Sequence, residues 1–307
     1  MRVRALLSVA TRDGITVFAR GLQALDIELF ATDGTREHLA QDGVEVRPVA
    51  ELTGMPAMLG GQVKTFHHAV YAGILARRDQ EDQLEELKRE GIEPIDIVVV
   101  NVRPFGAEIG RALIGIDKAI DMIDVGGAAL LGAAARNPAA VAAISSPEHY
   151  TQVLGELKER GQVSPELRAL LAAEAFGQVA AYHAEIAAYL NQIAGNTYPK
   201  RLAMVMDKVS DLRYGENPHQ TGALYRETTH RSAGVADANL LQGSGMPSFN
   251  NLIDLDVAYR IASDYTTPTV VIAKHADPVG IASGDELVEA YRRALETDPV
   301  ASFGAIV

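Results

Sequence analysis

Ile95-Asp96-Ile97-Val98-Val99-Val100-Asn101 decides the fold. Residues 97–100 are apolar without alternation, so both faces of the strand they form must be covered, as in the middle of a parallel sheet flanked by helices. Asn101 closes the run with a polar side chain at the carboxyl end, the edge where open α/β sheets bind ligands. Outward from this strand, β-rich runs at 3–9, 27–31, 44–49 and 141–144 alternate with amphipathic stretches at 14–25 and 80–90. Alternation of this kind predicts an α/β domain with a parallel sheet.

Two helix starts follow. Ser146-Pro147-Glu148 and Ser164-Pro165-Glu166 each offer a hydroxyl cap, a proline at the first helical position and an acid in the first turn. The second opens an Ala-rich helix over 165–194. Gly195-Asn196-Thr197-Tyr198-Pro199 breaks it, so residues 1–195 and 196–307 are expected to form separate domains. The second region has β-like runs at 201–206, 223–226 and 267–273, and helical patterns at 252–263 and 285–296. Residues 302–307 read as a strand just opening, so this region is expected to be incomplete, as a fragment or a naturally shortened homologue.

The net charge of −12 argues against a broad nucleic-acid or anionic-membrane surface. Hydrophobic residues make up 48% and charged residues 22%, as in ordinary globular proteins. There are no cysteines, which excludes disulfides, thiolate metal sites and cysteine nucleophiles. The short apolar run after Met1-Arg2-Val3-Arg4 is too brief for a secretory signal, and no stretch approaches a membrane span; the default expectation is a cytoplasmic protein. No histidine spacing suits a metal. The neighbours His67 and His68 would point apart on a regular element.

The sequence lacks a phosphate-binding P-loop, a Gly-x-Gly-x-x-Gly turn after a strand, and a Gly-x-Ser-x-Gly elbow. Site chemistry is therefore sought in the loops after the strands. Arg12 follows the first. Thr32-Asp33-Gly34-Thr35 follows the second and leads into a helix, which is either a phosphate seat or a plain cap. Lys64 and Thr65 follow a Gly60-Gly61 turn. Asn101 and Arg103 leave the central strand, and Asp124 precedes the pair Gly126-Gly127 at the start of an Ala-rich run. Arg213 and Tyr214 open the donor-rich stretch 213–220. Lys274-His275 ends an apolar strand, either as a solvated pair or as a base with a cation that tunes it.

In this order the segments resemble the bifunctional AICAR transformylase/IMP cyclohydrolase family. Leu6-Leu7-Ser8-Val9, Gly34-Thr35, Val63-Lys64-Thr65, the 95–101 strand and Ile123-Asp124-Val125-Gly126-Gly127 are similar to the cyclohydrolase half. Arg213-Tyr214-Gly215-Glu216-Asn217-Pro218-His219-Gln220, Asn250-Asn251-Leu252, Lys274-His275 and Ser302-Phe303-Gly304 are similar to the start of the transformylase half. The resemblance implies a methylglyoxal-synthase-like domain followed by part of a cytidine-deaminase-like one. It implies a homodimer, a phosphorylated imidazole or purine nucleotide as substrate, 10-formyltetrahydrofolate as formyl donor, and ring closure without metal or cofactor.

By the same resemblance Lys64, Asp124, Lys274 and His275 are catalytic. Arg12, Gly34, Thr35, Thr65, Asn101, Arg103, Gly126, Gly127, Arg136, Arg213 and Tyr214 bind substrate. The chain departs from the family pattern at several of these places. Arg103 stands for a tyrosine, Arg136 and Arg12 for lysines, Gln62 for an arginine, Asp33 for a glycine and His68 for a proline. Arginine stays protonated and cannot carry a proton as a phenol can. Asp33 beside a bound phosphate would cost roughly 1–4 kcal/mol unless a cation offsets it. These changes leave three expectations: ring closure with formyl transfer lost, a specialised-metabolism homologue acting on an altered heterocycle, or a degenerate binding module.

Overall fold

The computed structural model describes residues 2–103, 105, 106, 109, 115–228, 234–239, 241 and 247–307. They form two compact units, Met1–Ala203 and Met204–Val307.

In the first unit the order is β1 (Arg4–Val9), α1 (Ile15–Gln23), β2 (Glu28–Ala31), α2 (Asp33–Gln41), β3 (Arg47–Pro48), α3 (Ala50–Thr53), α4 (His68–Leu75), α5 (Glu81–Arg89), β4 (Ile97–Asn101), α6 (Ile116–Asp121), α7 (Val125–Ala135), β5 (Ala142–Ile144), α8 (Tyr150–Arg160) and α9 (Pro165–Ile193). The strands pair in parallel in the order β3-β2-β1-β4-β5. Along β4, Ile97 and Val99 face one buried layer with Phe18, Leu22 and Val153, while Val98 and Val100 face the other with Ile74, Leu130 and Ala175. The uninterrupted apolar run is the product of that two-sided burial.

The order reverses between β1 and β4. From β1 the chain winds outward through β2 and β3, then returns to lay β4 on the other side of β1. At such a reversal, open α/β sheets place their ligand crevice outside the carboxyl ends of the strands.

The 44–49 run is mostly not a strand. Val44 is buried, and its N–H closes the end of α2 on Leu39 O, with Gly43 in the left-handed region at φ 72°. Only Arg47 and Pro48 join the ladder, at its edge, where a residue without an N–H is tolerated. His67 and His68 also depart from expectation. They straddle the start of α4, His67 as the extended N-cap and His68 as the first helical residue, so their rings lie together at 4.3 Å instead of pointing apart.

Ser164 caps α9 as its sequence suggests, with Oγ accepting from Leu167 N–H at 3.3 Å and Pro165 following. Ser164→Ala is expected to cost about 1 kcal/mol, read as a lower urea midpoint at unchanged slope. An unmoved midpoint would mean that Pro165 alone starts the helix.

The second unit contains β6 (Met206–Asp211), β7 (Ala223–Glu227), α10 (Phe249–Ser263), β8 (Thr269–Lys274), β9 (Asp277–Ser283) and α11 (Leu287–Thr297). β6 pairs antiparallel with β7, and β8 with β9. The expected 201–206 strand is displaced: the ladder begins at Met206 opposite Glu227 and runs to Asp211. Residues 206–211 are largely exposed on both faces, so they carry no apolar alternation to betray them. In the 302–307 segment, Ile306 alone pairs with Ala273, through hydrogen bonds of 2.8 and 2.9 Å.

Candidate active site

The crevice beside β1 and β4 is built from their ends. Asn101 Oδ1 accepts from the N–H groups of Ala10 (2.5 Å) and Thr11 (3.0 Å), and its Nδ2 donates to Thr11 O at 3.3 Å. Asn101 thus shapes the loop after β1 with all its polar atoms, acting on the site as a brace.

That loop delivers Arg12 to α2. Arg12 Nη1 donates to Val9 O (3.0 Å) and Thr35 Oγ1 (3.1 Å), and Nη2 lies 3.4 Å from where a Cβ on Gly34 would stand. Burial lowers the Arg12 pKa from its ordinary value, and Glu37 pulls the other way. Thr35 is 2% exposed; its hydroxyl also accepts from Val9 N–H at 3.0 Å and approaches Val9 O at 3.3 Å. The hydroxyl is therefore committed to holding the loop and Arg12. A ligand at this end would meet the Arg12 guanidinium and the first-turn N–H groups of α2. Asp33, the first residue of α2, is exposed there.

Asp124 is the N-cap of α7, its Oδ1 accepting from Gly127 N–H at 2.8 Å. A Cβ on Gly127 would stand 2.4 Å from Asp124 Oδ2, so only glycine lets the carboxylate fold back over the helix end. A Cβ on Gly126 would lie 3.6 Å from Thr65 Oγ1 and 3.9 Å from Asp124 Oδ1. The buried Thr65 therefore meets the Asp124–Gly127 turn, and the half-buried Lys64 precedes it in the chain. Phe105, two residues beyond Arg103, meets the ring of Tyr182 edge-on at 6.5 Å, which brings the segment after β4 to the same turn.

Arg136 is not brought to this cluster. It is the exposed C-cap of α7, at the opposite end of the helix from Asp124. Twelve residues of helix separate the two by about 18 Å.

Two residues absent from the sequence reading join the cluster. Tyr182 Oη accepts from Asp124 N–H at 2.6 Å, and Glu185 Oε2 accepts from Gly106 N–H at 3.2 Å. Both come from α9, far along the chain. The one signal available was a pair of tyrosines, 182 and 189, on an otherwise Ala-rich helix.

In the second unit the motifs converge on α10. Asn250 Nδ2 donates to Glu216 O at 3.4 Å, and Asp254, four residues on, accepts from Ala276 N–H at 2.7 Å. The first contact pins the loop of exposed Arg213 and half-buried Tyr214; the second pins the turn after Lys274. His275 and Ala276 are both left-handed, at φ 56° and 65°, which costs non-glycine residues roughly 1–2 kcal/mol each. Lys274 Nζ donates to Phe303 O at 2.7 Å and to Ala301 O at 3.4 Å, joining the Lys-His and Ser-Phe-Gly segments.

Residues 134–307 match the AICARFT/IMPCHase bienzyme family, and residues 14–129 match the MGS-like domain. The bifunctional purine biosynthesis protein PurH of Rhodopirellula baltica is 44% identical over 99% of this chain and 58% of its own length. The protein of the same name from Anoxybacillus flavithermus is 41% identical over all of this chain and 60% of its own. This chain thus spans about 60% of the length of the curated relatives it matches. Among solved structures, the crystal structure of ForH matches with a TM-score of 0.53 and 36% identity, covering 61% of this chain and 98% of that one.

Proposed function

The chain belongs to the AICARFT/IMPCHase bienzyme family, and we propose that its first unit performs that family's ring closure, converting formyl-AICAR to IMP with loss of water. The observation that carries this reading is the meeting of Asp124, Thr65 and the Gly126-Gly127 turn at the strand-end crevice, with Lys64 adjacent and Arg12 presented over the start of α2.

In the reaction, the carboxamide nitrogen of the substrate attacks the formyl carbon. The N–C bond forms as the formyl carbonyl becomes a hydroxyl. Loss of that hydroxyl with the formamido nitrogen's proton then forms the ring C=N bond, so the departing water carries one proton from each nitrogen. Asp124 is suited to take the proton from the attacking nitrogen, and Lys64 to supply one to the departing oxygen. Arg12 and the N–H groups of α2 are suited to the phosphate. Arg103 carries a fixed positive charge that cannot shuttle a proton as a phenol can, which leaves proton transfer to the other two groups.

The test is to supply purified protein with formyl-AICAR and follow IMP. Turnover is expected; tight binding of IMP without turnover would replace the reading with a binding module. The changes at Arg103, Gln62 and Asp33 favour a second reading, an altered heterocycle as substrate, which a faster reaction with such a compound would establish. For the second unit we propose that Lys274 and His275 belong to the formyl-transfer chemistry; a Lys274→Ala change that leaves formation of formyl-AICAR from AICAR and 10-formyltetrahydrofolate unaltered would overturn that. The homodimer the resemblance implies is part of the proposal, and sedimentation tests it.

A further inference from the structure

α9 supplies none of the residues given chemical roles above, yet one of its faces holds both the Asp124 turn and the Phe105 segment. Tyr182, Glu185, Ile186 and Tyr189 follow one another at helical spacing on that face. Tyr182 is 2% exposed, and its Oη accepts the Asp124 N–H at 2.6 Å. That N–H precedes α7, so the helix itself offers it no partner; left unpaired and buried it would be costly. The ring of Tyr182 meets Phe105 edge-on at 6.5 Å, and Tyr189 meets the same ring at 5.6 Å. Phe105 is 1% exposed and lies two residues beyond Arg103. Glu185 adds the bond to Gly106 N–H. One side chain thus touches both site segments, Asp124 through its hydroxyl and Phe105 through its ring. Burial also raises the Tyr182 pKa above the ordinary tyrosine value, so the hydroxyl stays neutral while it accepts this bond.

We propose that Tyr182 is a positioning residue for ring closure: its hydroxyl fixes the main chain at Asp124, its ring fixes Phe105, and together they set the separation of the Asp124 carboxylate and Arg103. The proposal rests on the ring-closure reading. Its logic is that of a cap held from behind. Gly127 N–H fixes the carboxylate from the helix side and Tyr182 fixes the backbone from the other, so both ends of the residue are constrained. A general base serves only within a few tenths of an ångström of its proton.

Tyr182→Phe removes the hydroxyl and keeps the ring. The expected result is a fall in kcat of about ten- to a hundredfold with KM within about twofold. In an Asp124→Asn background the same change should add no more than about twofold, because the two residues act as a unit. A full multiplicative loss in that background, or an unchanged kcat, would overturn the proposal. A second readout is independent of turnover: exchange of the Asp124 amide hydrogen should accelerate at least about tenfold in Tyr182→Phe, with a shifted Gly127 resonance. If the wild-type protein fails to make IMP, the ring-closure reading falls, and the amide measurement then decides whether Tyr182 positions Asp124. Unaltered exchange and an unmoved Gly127 signal would sink it.

Discussion

Asp124→Asn is expected to slow ring closure by about a hundred- to ten-thousandfold while leaving the fold intact. The separation of effects comes from the double use of this side chain. As the N-cap of α7, Asp124 needs only an oxygen that accepts from Gly127 N–H, and an asparagine carbonyl oxygen does this about as well. As a proton acceptor it needs the negative charge, which asparagine lacks. Asp124→Ala removes both, so it should add a stability loss of about 1 kcal/mol to a comparable loss of rate. Circular dichroism and thermal unfolding report the first effect, and IMP formation the second. An asparagine variant that keeps more than a tenth of the wild-type kcat would remove Asp124 from the role of base.

Asp124 stood out in the sequence as a carboxylate at a helix start because that constraint is local, while its chemical role came from the resemblance alone. A carboxylate followed by two glycines at the head of an apolar run is what a helix start needs when its cap must fold closely over the backbone. Ser164 before Pro165 is legible for the same reason. The 97–100 run reveals the sheet because two-sided burial leaves no polar position along it.

What the sequence hid is tertiary. Tyr182 lies 58 residues from Asp124, and the tyrosines of α9 do not by themselves say which segment they reach. Thr35 reads as an open hydroxyl at a helix start, but the loop from β1 closes over it and uses it up. Arg136 follows from resemblance alone; helical rise already separates it from Asp124. β9 was masked by Pro278 and Gly280, which read as breakers. The register shift between Ile272 and Ala273 accommodates the strand's start, leaving Pro278 opposite Ala273.

Gly280→Ala follows from that last point and should be among the most damaging single-methyl changes in the second unit. Gly280 lies on β9 opposite Ile272, where α11 crosses the hairpin. A Cβ there would stand 2.1 Å from Ala294 O and 3.0 Å from Ala294 C, both backbone atoms of α11. No rotamer relieves such a clash; the helix must move by about an ångström. α11 approaches this closely because the residues it buries are Ala290 and Ala294. Shifting it would separate those alanines from the hairpin. Overpacking of this kind costs about 3 kcal/mol, and the apolar cluster beneath α10 and the hairpin, centred on Ala258, Val271 and Ala273, is small. Early protease cleavage is expected within residues 204–307, with a lower denaturant midpoint for that unit. Gly284→Ala is the control: its Cβ would meet nothing nearer than 3.5 Å, so its effect should stay within about 0.5 kcal/mol. Equal protease resistance of the two variants would show that α11 does not hold the close contact on which the argument depends.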